Sequence, residues 1–243
     1  MNVPLRSRWK PFAGSDDWQE VEFRHDLNPQ ATAILLCDVW DIHWCAGANR
    51  RGLPIAERLE TLVTALRQRG MFVIHAPSDC MQFYQDTPQR ARMIAASPVE
   101  PPAPREIFEP PLPVDASDGG CDDEPQCRQW SPWTRQHPAI TVAPEDGVSD
   151  NGREVYNALR ERNINHLLIA GVHTNMCVLG RSFAIRQMTR WGVRCTLVRD
   201  LTDTMYNPRM APFVPHEQGT ELVIQHIERY WCPTVRSEDL LLS

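Results

Sequence analysis

Lysine is almost absent from this chain. Of 25 Lys and Arg residues among 243, Lys10 is the only lysine. Chemistry that needs an ammonium to give and take a proton therefore has a single residue to draw on. Net charge is −6 and no basic face stands out, so nucleic acid is not an expected partner. No apolar run approaches the ~18 residues of a membrane span. The opening MNVPLRSRWKPF lacks the apolar core of a signal peptide. No membrane partner and a cytoplasmic location are expected. The eight cysteines fall at 37, 45, 80, 121, 127, 177, 195 and 232 without a regular framework, as reduced core thiols would. The segment CDDEPQC spaces Cys121 and Cys127 too widely for a zinc knuckle, which places two to four residues between its ligands. These two are read as loop cysteines, and no cofactor is expected.

What is present is a run of alternating elements. Residues 31–39 (ATAILLCDV) form a nearly continuous apolar stretch ending in Asp38, as a parallel strand buried on both faces would. Helical spacing follows over 54–69, then strands at 71–76, 139–143, 166–170 and 193–198, and one near Thr234. Further helices are expected at 88–96, 151–162, 177–191 and 216–230. The pattern predicts an α/β fold, a Rossmann-like three-layer αβα arrangement with a mostly parallel six-stranded sheet. One domain over 1–243 is expected, with an irregular N-terminal arm (1–30) and a Pro-rich insertion (97–138). Seven prolines lie between Ser97 and Val114. Loops of that length are usually functional or build oligomers.

The stretch LLIAGVHTNMCVLGR (167–181) carries the chemistry. A strand ends at Gly171, a polar turn follows, and Cys177 stands where the next helix begins. Helix N-termini present unpaired N–H groups and partial positive charge, which lowers a thiol's pKa and can hold an oxyanion. Ligands bind beyond the carboxyl ends of such strands. There Asp38, His75 and the 171–177 turn would meet. Cys177 would be the nucleophile and Asp38 the acid/base. The plainer reading makes Asp38 a turn cap and Cys177 a packed residue. His43, His75, Arg135 and Tyr206 are candidate substrate contacts. Asp38, Asp41, His43 and His75 are an alternative metal set. Arg181, Arg186 and Arg199 are expected in structural pairs, and Asp200 and Asp203 are placed to bond the 171–177 loop.

The strand ending in Asp38, GVHTNMCV (171–178), FAIRQM (183–188) and LVRDLTD (197–203) resemble the isochorismatase-like cysteine hydrolases, which include nicotinamidases, carbamoylsarcosine amidases and isochorismatases. DVWDIHWC (38–45), HAPSD (75–79), SPWTRQHP (131–138) and HIERYWCPT (226–234) mark a resemblance to a divergent subgroup. The resemblance implies a homo-oligomer acting on a small molecule. It implies Cys177 as nucleophile, Asp38 as acid/base, a cis peptide between Val172 and His173, and turn amides of Met176 and Cys177 facing the substrate oxygen. It also implies a catalytic lysine on the strand before the cysteine turn. The matching stretch, ITVAPEDGVSD (140–150), has none. Hydrolysis of an amide or related C–N bond is the leading expectation. The alternatives are a binding protein without activity, a metal-dependent hydrolase, or vinyl-ether hydrolysis.

Overall fold

Val3, Leu5 and Ser7 alternate with Arg6 and Arg8, and Val21, Phe23 and His25 alternate with charged neighbours. That period of two belongs to a sheet with one face covered. In the computed structural model, which describes residues 1–243, Asn2–Trp9 (β1) and Gln19–Asp26 (β2) form an antiparallel hairpin. The arm expected at 1–30 is therefore part of the sheet, its alternation masked by the charge on its outer face.

The remaining strands are Thr32–Cys37 (β3), Phe72–Ala76 (β4), Gly147–Val148 (β5), His166–Val172 (β6), Arg194–Asp203 (β7) and Thr234–Val235 (β8). They give one sheet in the order β2-β1-β8-β7-β6-β3-β4-β5. It has eight strands rather than six. β3 to β8 pair in parallel, and β1 joins β8 antiparallel through Arg6 and Thr234. Every residue of β3 and β6 is buried, as strands covered on both faces require. One apolar cluster, including Leu35, Ile169 and Phe183, fills one face, and a second, including Leu36, Leu62 and Leu168, fills the other.

The helices are Ala46–Gln68 (α1), Met81–Tyr84 (α2), Pro88–Ala95 (α3), Gly152–Glu161 (α4), Cys177–Gly180 (α5), Ile185–Arg190 (α6), His216–Tyr230 (α7) and Ser237–Leu242 (α8). α1 begins eight residues before Pro54, which the sequence marks as a start because proline favours the first turn. The single helix expected over 177–191 is two, interrupted where Arg181 turns extended. Residues 139–143 make no strand. Their amides bond side chains instead: Thr141 N–H donates to Glu60 and Ala143 N–H to Asp146. None of the helices is long and apolar enough to cross a membrane.

Three features aim the functional end of the sheet. Gly171 has φ of +117°, and a Cβ there would lie 2.1 Å from the Cys37 carbonyl oxygen, so only glycine lets β6 pass β3 this closely. Asp38 follows β3 with φ of +50°, a conformation that non-glycine residues adopt at a cost and mainly where a site over-determines it. The end of the insertion folds back over this edge. His137 N–H donates to the Val39 carbonyl, Asp41 N–H donates to the Arg135 carbonyl, and Thr134 donates through its N–H and hydroxyl to the Asp41 carboxylate.

Candidate active site

Asp38 is fully buried and saturated with donors. Ser78 N–H donates to Oδ1 at 2.7 Å, and Arg181 Nε donates to Oδ2 at 2.9 Å. The Cys177 thiol lies beside this carboxylate. Burial raises the Asp38 pKa, opposed by Arg181 and then by the bonds from Cys177 and Ser78. Burial pushes the Cys177 thiol up to about 12, and the Asp38 charge adds to the rise. The lowered thiol pKa expected from the helix end is thus overturned, because α5 is only four residues long and desolvation with a neighbouring carboxylate outweighs so short a dipole.

The cation beside Asp38 is Arg181. Arg181 sits four residues beyond Cys177, its own N–H bonded to the Cys177 carbonyl, and its guanidinium reaches Asp38. The charge also acts on Cys177, lowering that thiol's pKa against the other effects. The stretch 140–150, where the resemblance places the lysine and the sequence has none, supplies no cation to Asp38.

The turn itself is firmly held. The Val172–His173 peptide is cis. Thr174 N–H donates to the Asp203 carbonyl, and Asn175 exchanges two bonds with Met205. Asp203 thereby bonds this loop as its position suggests, and its carboxylate takes His216 and Arg51. Asp200 instead holds Arg58 and Ser237. Met176 N–H donates to the His173 carbonyl at 3.0 Å, so it is engaged within the turn. Cys177 N–H, first in its helix, has no intrahelical acceptor.

A cavity of about 40 Å³ opens beside Asp38, lined by Trp40, His43, Asn49, His137, Val172 and His173 among others. It has room for only a few water-sized groups. Trp40 stacks on Trp133 with ring centres 4.3 Å apart, and His43 adjoins both. Cys177 is partly exposed and packs against the cluster of Trp40, Cys80, Tyr84 and Val148. His43 accepts the Cys45 N–H at Nδ1, and its pKa falls to about 4, mainly through burial. Burial likewise lowers His173 to about 3.

Of the predicted contacts, His43 lies in the cavity wall and three others do not. His75 is fully buried and bonds Asp146, which also holds Arg67. Arg135 is exposed and lies over the Phe83 ring. Tyr206 is buried, with its hydroxyl donating to the Met210 carbonyl. The alternative metal set is also dispersed, since Asp38, Asp41, His43 and His75 each bond different partners. The side chains that do converge with ligand chemistry are Cys45, Cys121 and Asp123. His173, a candidate from the sequence, lies in the wall, while sequence reasoning misses His137, whose only signal is its place in the SPWTRQHP stretch.

The sheet and its helical layers give an α/β fold similar to that of isochorismatase-like proteins. Residues 116–211 match the isochorismatase domain family. The segment starts in the insertion and includes the cysteine turn and β7. Among solved structures, a cysteine hydrolase from Pseudomonas syringae pv. phaseolicola 1448A is similar at 15% identity, covering 89% of this chain and 93% of that one, with a TM-score of 0.54. An isochorismatase from Pseudomonas putida KT2440 is similar at 14% identity, covering 87% and 91%, with a TM-score of 0.52. An isochorismatase family protein from Burkholderia thailandensis is similar at 17% identity, covering 89% and 98%, with a TM-score of 0.51. At these identities the likeness is one of fold. No curated protein matches the chain in sequence.

Proposed function

We propose that the protein hydrolyses a small, uncharged amide or related C–N bond through Cys177. The observation that carries this reading is Asp38, which accepts the Ser78 N–H and the Arg181 guanidinium with the Cys177 thiol beside it. Asp38 takes the thiol proton as sulfur attacks the carbonyl carbon. Arg181, until then paired with the carboxylate, faces the new charge. The tetrahedral intermediate's oxygen accepts the Cys177 N–H. Collapse breaks the C–N bond, and Asp38 returns its proton to the departing nitrogen. Water then attacks the thioester, giving its proton to Asp38, and the thiol leaves with it. Arginine stays protonated in proteins, so Asp38 performs every transfer.

Cavity size and charge support the substrate class. The space beside Asp38 is about 40 Å³. His43 Nδ1 accepts a backbone N–H and so carries no proton, and burial keeps His173 neutral. Arg181 is committed to Asp38, and Arg51, which also acts on these histidines, to Asp122 and Asp203. A carboxylate substrate would find no free partner, whereas a neutral group fits against the Trp40 ring. Assembly as a homo-oligomer in the cytoplasm belongs to the same reading.

The test is ammonia release from a panel of small neutral amides and ureas, with mass spectrometry of the intact protein during turnover. An acyl adduct on Cys177 is expected, and Cys177→Ser should lower kcat/KM on the order of 10³-fold or more. Undiminished turnover in Cys177→Ser would sink the assignment.

A further inference from the structure

We propose that Cys45, Cys121, Cys127 and Asp123 bind one zinc ion that clamps the insertion to the head of α1. Three thiols from separate points of the chain surround a single carboxylate oxygen. Cys45 Sγ and Cys127 Sγ each lie 3.4 Å from Asp123 Oδ2, and Cys121 Sγ lies 3.7 Å away. The ligand atoms of Cys45, Cys121 and Asp123 all fall within 4.8 Å of one another, and Cys45 and Cys121 are buried. Tetrahedral zinc, with Zn–S of about 2.3 Å and Zn–O of about 2.0–2.2 Å, spaces sulfur and oxygen ligands about 3.5 Å apart.

Hydrogen bonding alone does not account for this cluster. Gly47 N–H already donates to the same Oδ2 at 2.7 Å. Three thiols in addition would make four donors on an oxygen with two lone pairs. A cation that replaces the thiol protons removes the excess, since zinc binds sulfur as thiolate. The surroundings also offer donors to the sulfurs. Ala48 N–H donates to Cys45 Sγ and Ala46 N–H to Cys127 Sγ, so the first amides of the 23-residue helix α1 point at the ligands. Arg50 pairs with the other oxygen, Asp123 Oδ1. All four positions come from the protein, which is the closed form of a structural site. C-x5-C spacing is no obstacle here, because Cys45 arrives from another segment.

The clamp also touches the candidate active site. His43 stands two residues before Cys45 and accepts its N–H. Yet the proposal does not depend on any catalytic reading, and its test measures binding alone. Reduced, chelator-treated full-length protein is titrated with Co²⁺. Saturation at one equivalent is expected, with the thiolate-to-cobalt charge-transfer absorption and the strong visible bands of a tetrahedral site. Zinc should abolish both. The bands should be lost in the C121S/C127S double variant and kept in Cys177→Ala. In the unaltered protein, bound zinc should abolish alkylation of Cys121 and Cys127, as read by peptide mapping. Absence of the charge-transfer band, its persistence in the double variant, or equal alkylation with and without zinc would each overturn the proposal. So would a Cys121–Cys127 disulfide that forms in place of metal uptake.

Discussion

Asp38 and Cys177 hold one proton between two groups that both resist ionisation. Burial raises both pKa values, and the carboxylate raises the thiol's further. Asp38→Asn therefore separates two properties that usually move together. Loss of the negative charge lowers the thiol pKa, and Arg181, without its partner, lowers it again. Alkylation of Cys177 by iodoacetamide at pH 8 should accelerate in Asp38→Asn. Amide turnover should fall by about 10²–10⁴-fold, the usual contribution of a general base. Slower alkylation in the variant would mean that Asp38 activates the thiol even at rest. Arg181 illustrates what a sequence hides at this scale. Its residue type and place near the motif are plain, but its partner lies 143 positions away.

Among the elements, the end of the insertion closes over the site and places His137 in the cavity wall. Its last residues seal the edge of the sheet through backbone bonds to Val39 and Asp41 and through the Trp133 ring on Trp40. Trp133→Ala removes the stacked partner, worth about 0.5–1.5 kcal/mol beyond its buried area. Limited proteolysis within 97–138 should then be faster, while the secondary structure seen by circular dichroism stays the same. Unchanged cleavage would show that the backbone bonds hold the segment without the ring. The strands β3, β4, β6 and β7 are legible in the sequence because continuous apolar runs have few other uses. β5 is not, since two residues carry no period. The helix start at Cys45 is hidden for a different reason: its cap is a thiol bonding the Ala48 N–H, a role that sequence rules reserve for hydroxyl and carboxyl side chains.

Across the whole molecule, buried neutral histidines couple folding to pH. Burial lowers His166 and His173 to about 3 from an ordinary value of 6.5. As pH falls below 6.5 the unfolded chain takes up these protons and the folded chain does not. Stability is therefore expected to decline steadily from pH 6.5 towards 4. Urea midpoints at pH 7.5 and pH 5 check this, and equal midpoints would contradict it. The αβα layering is readable from the alternation of elements, because each strand and helix must cover its neighbour. The N-terminal hairpin escapes the same reasoning, as its outward charges resemble a solvated arm until its partner β8 is known.

The descent of the site follows from Arg181 standing one turn beyond Cys177. Cys177 and Arg181 are encoded within five codons, so an exchange of the preceding βα unit between genes cannot part them. Residues 139–145 supply no charge to Asp38 and are held instead through the Thr141 and Ala143 amides.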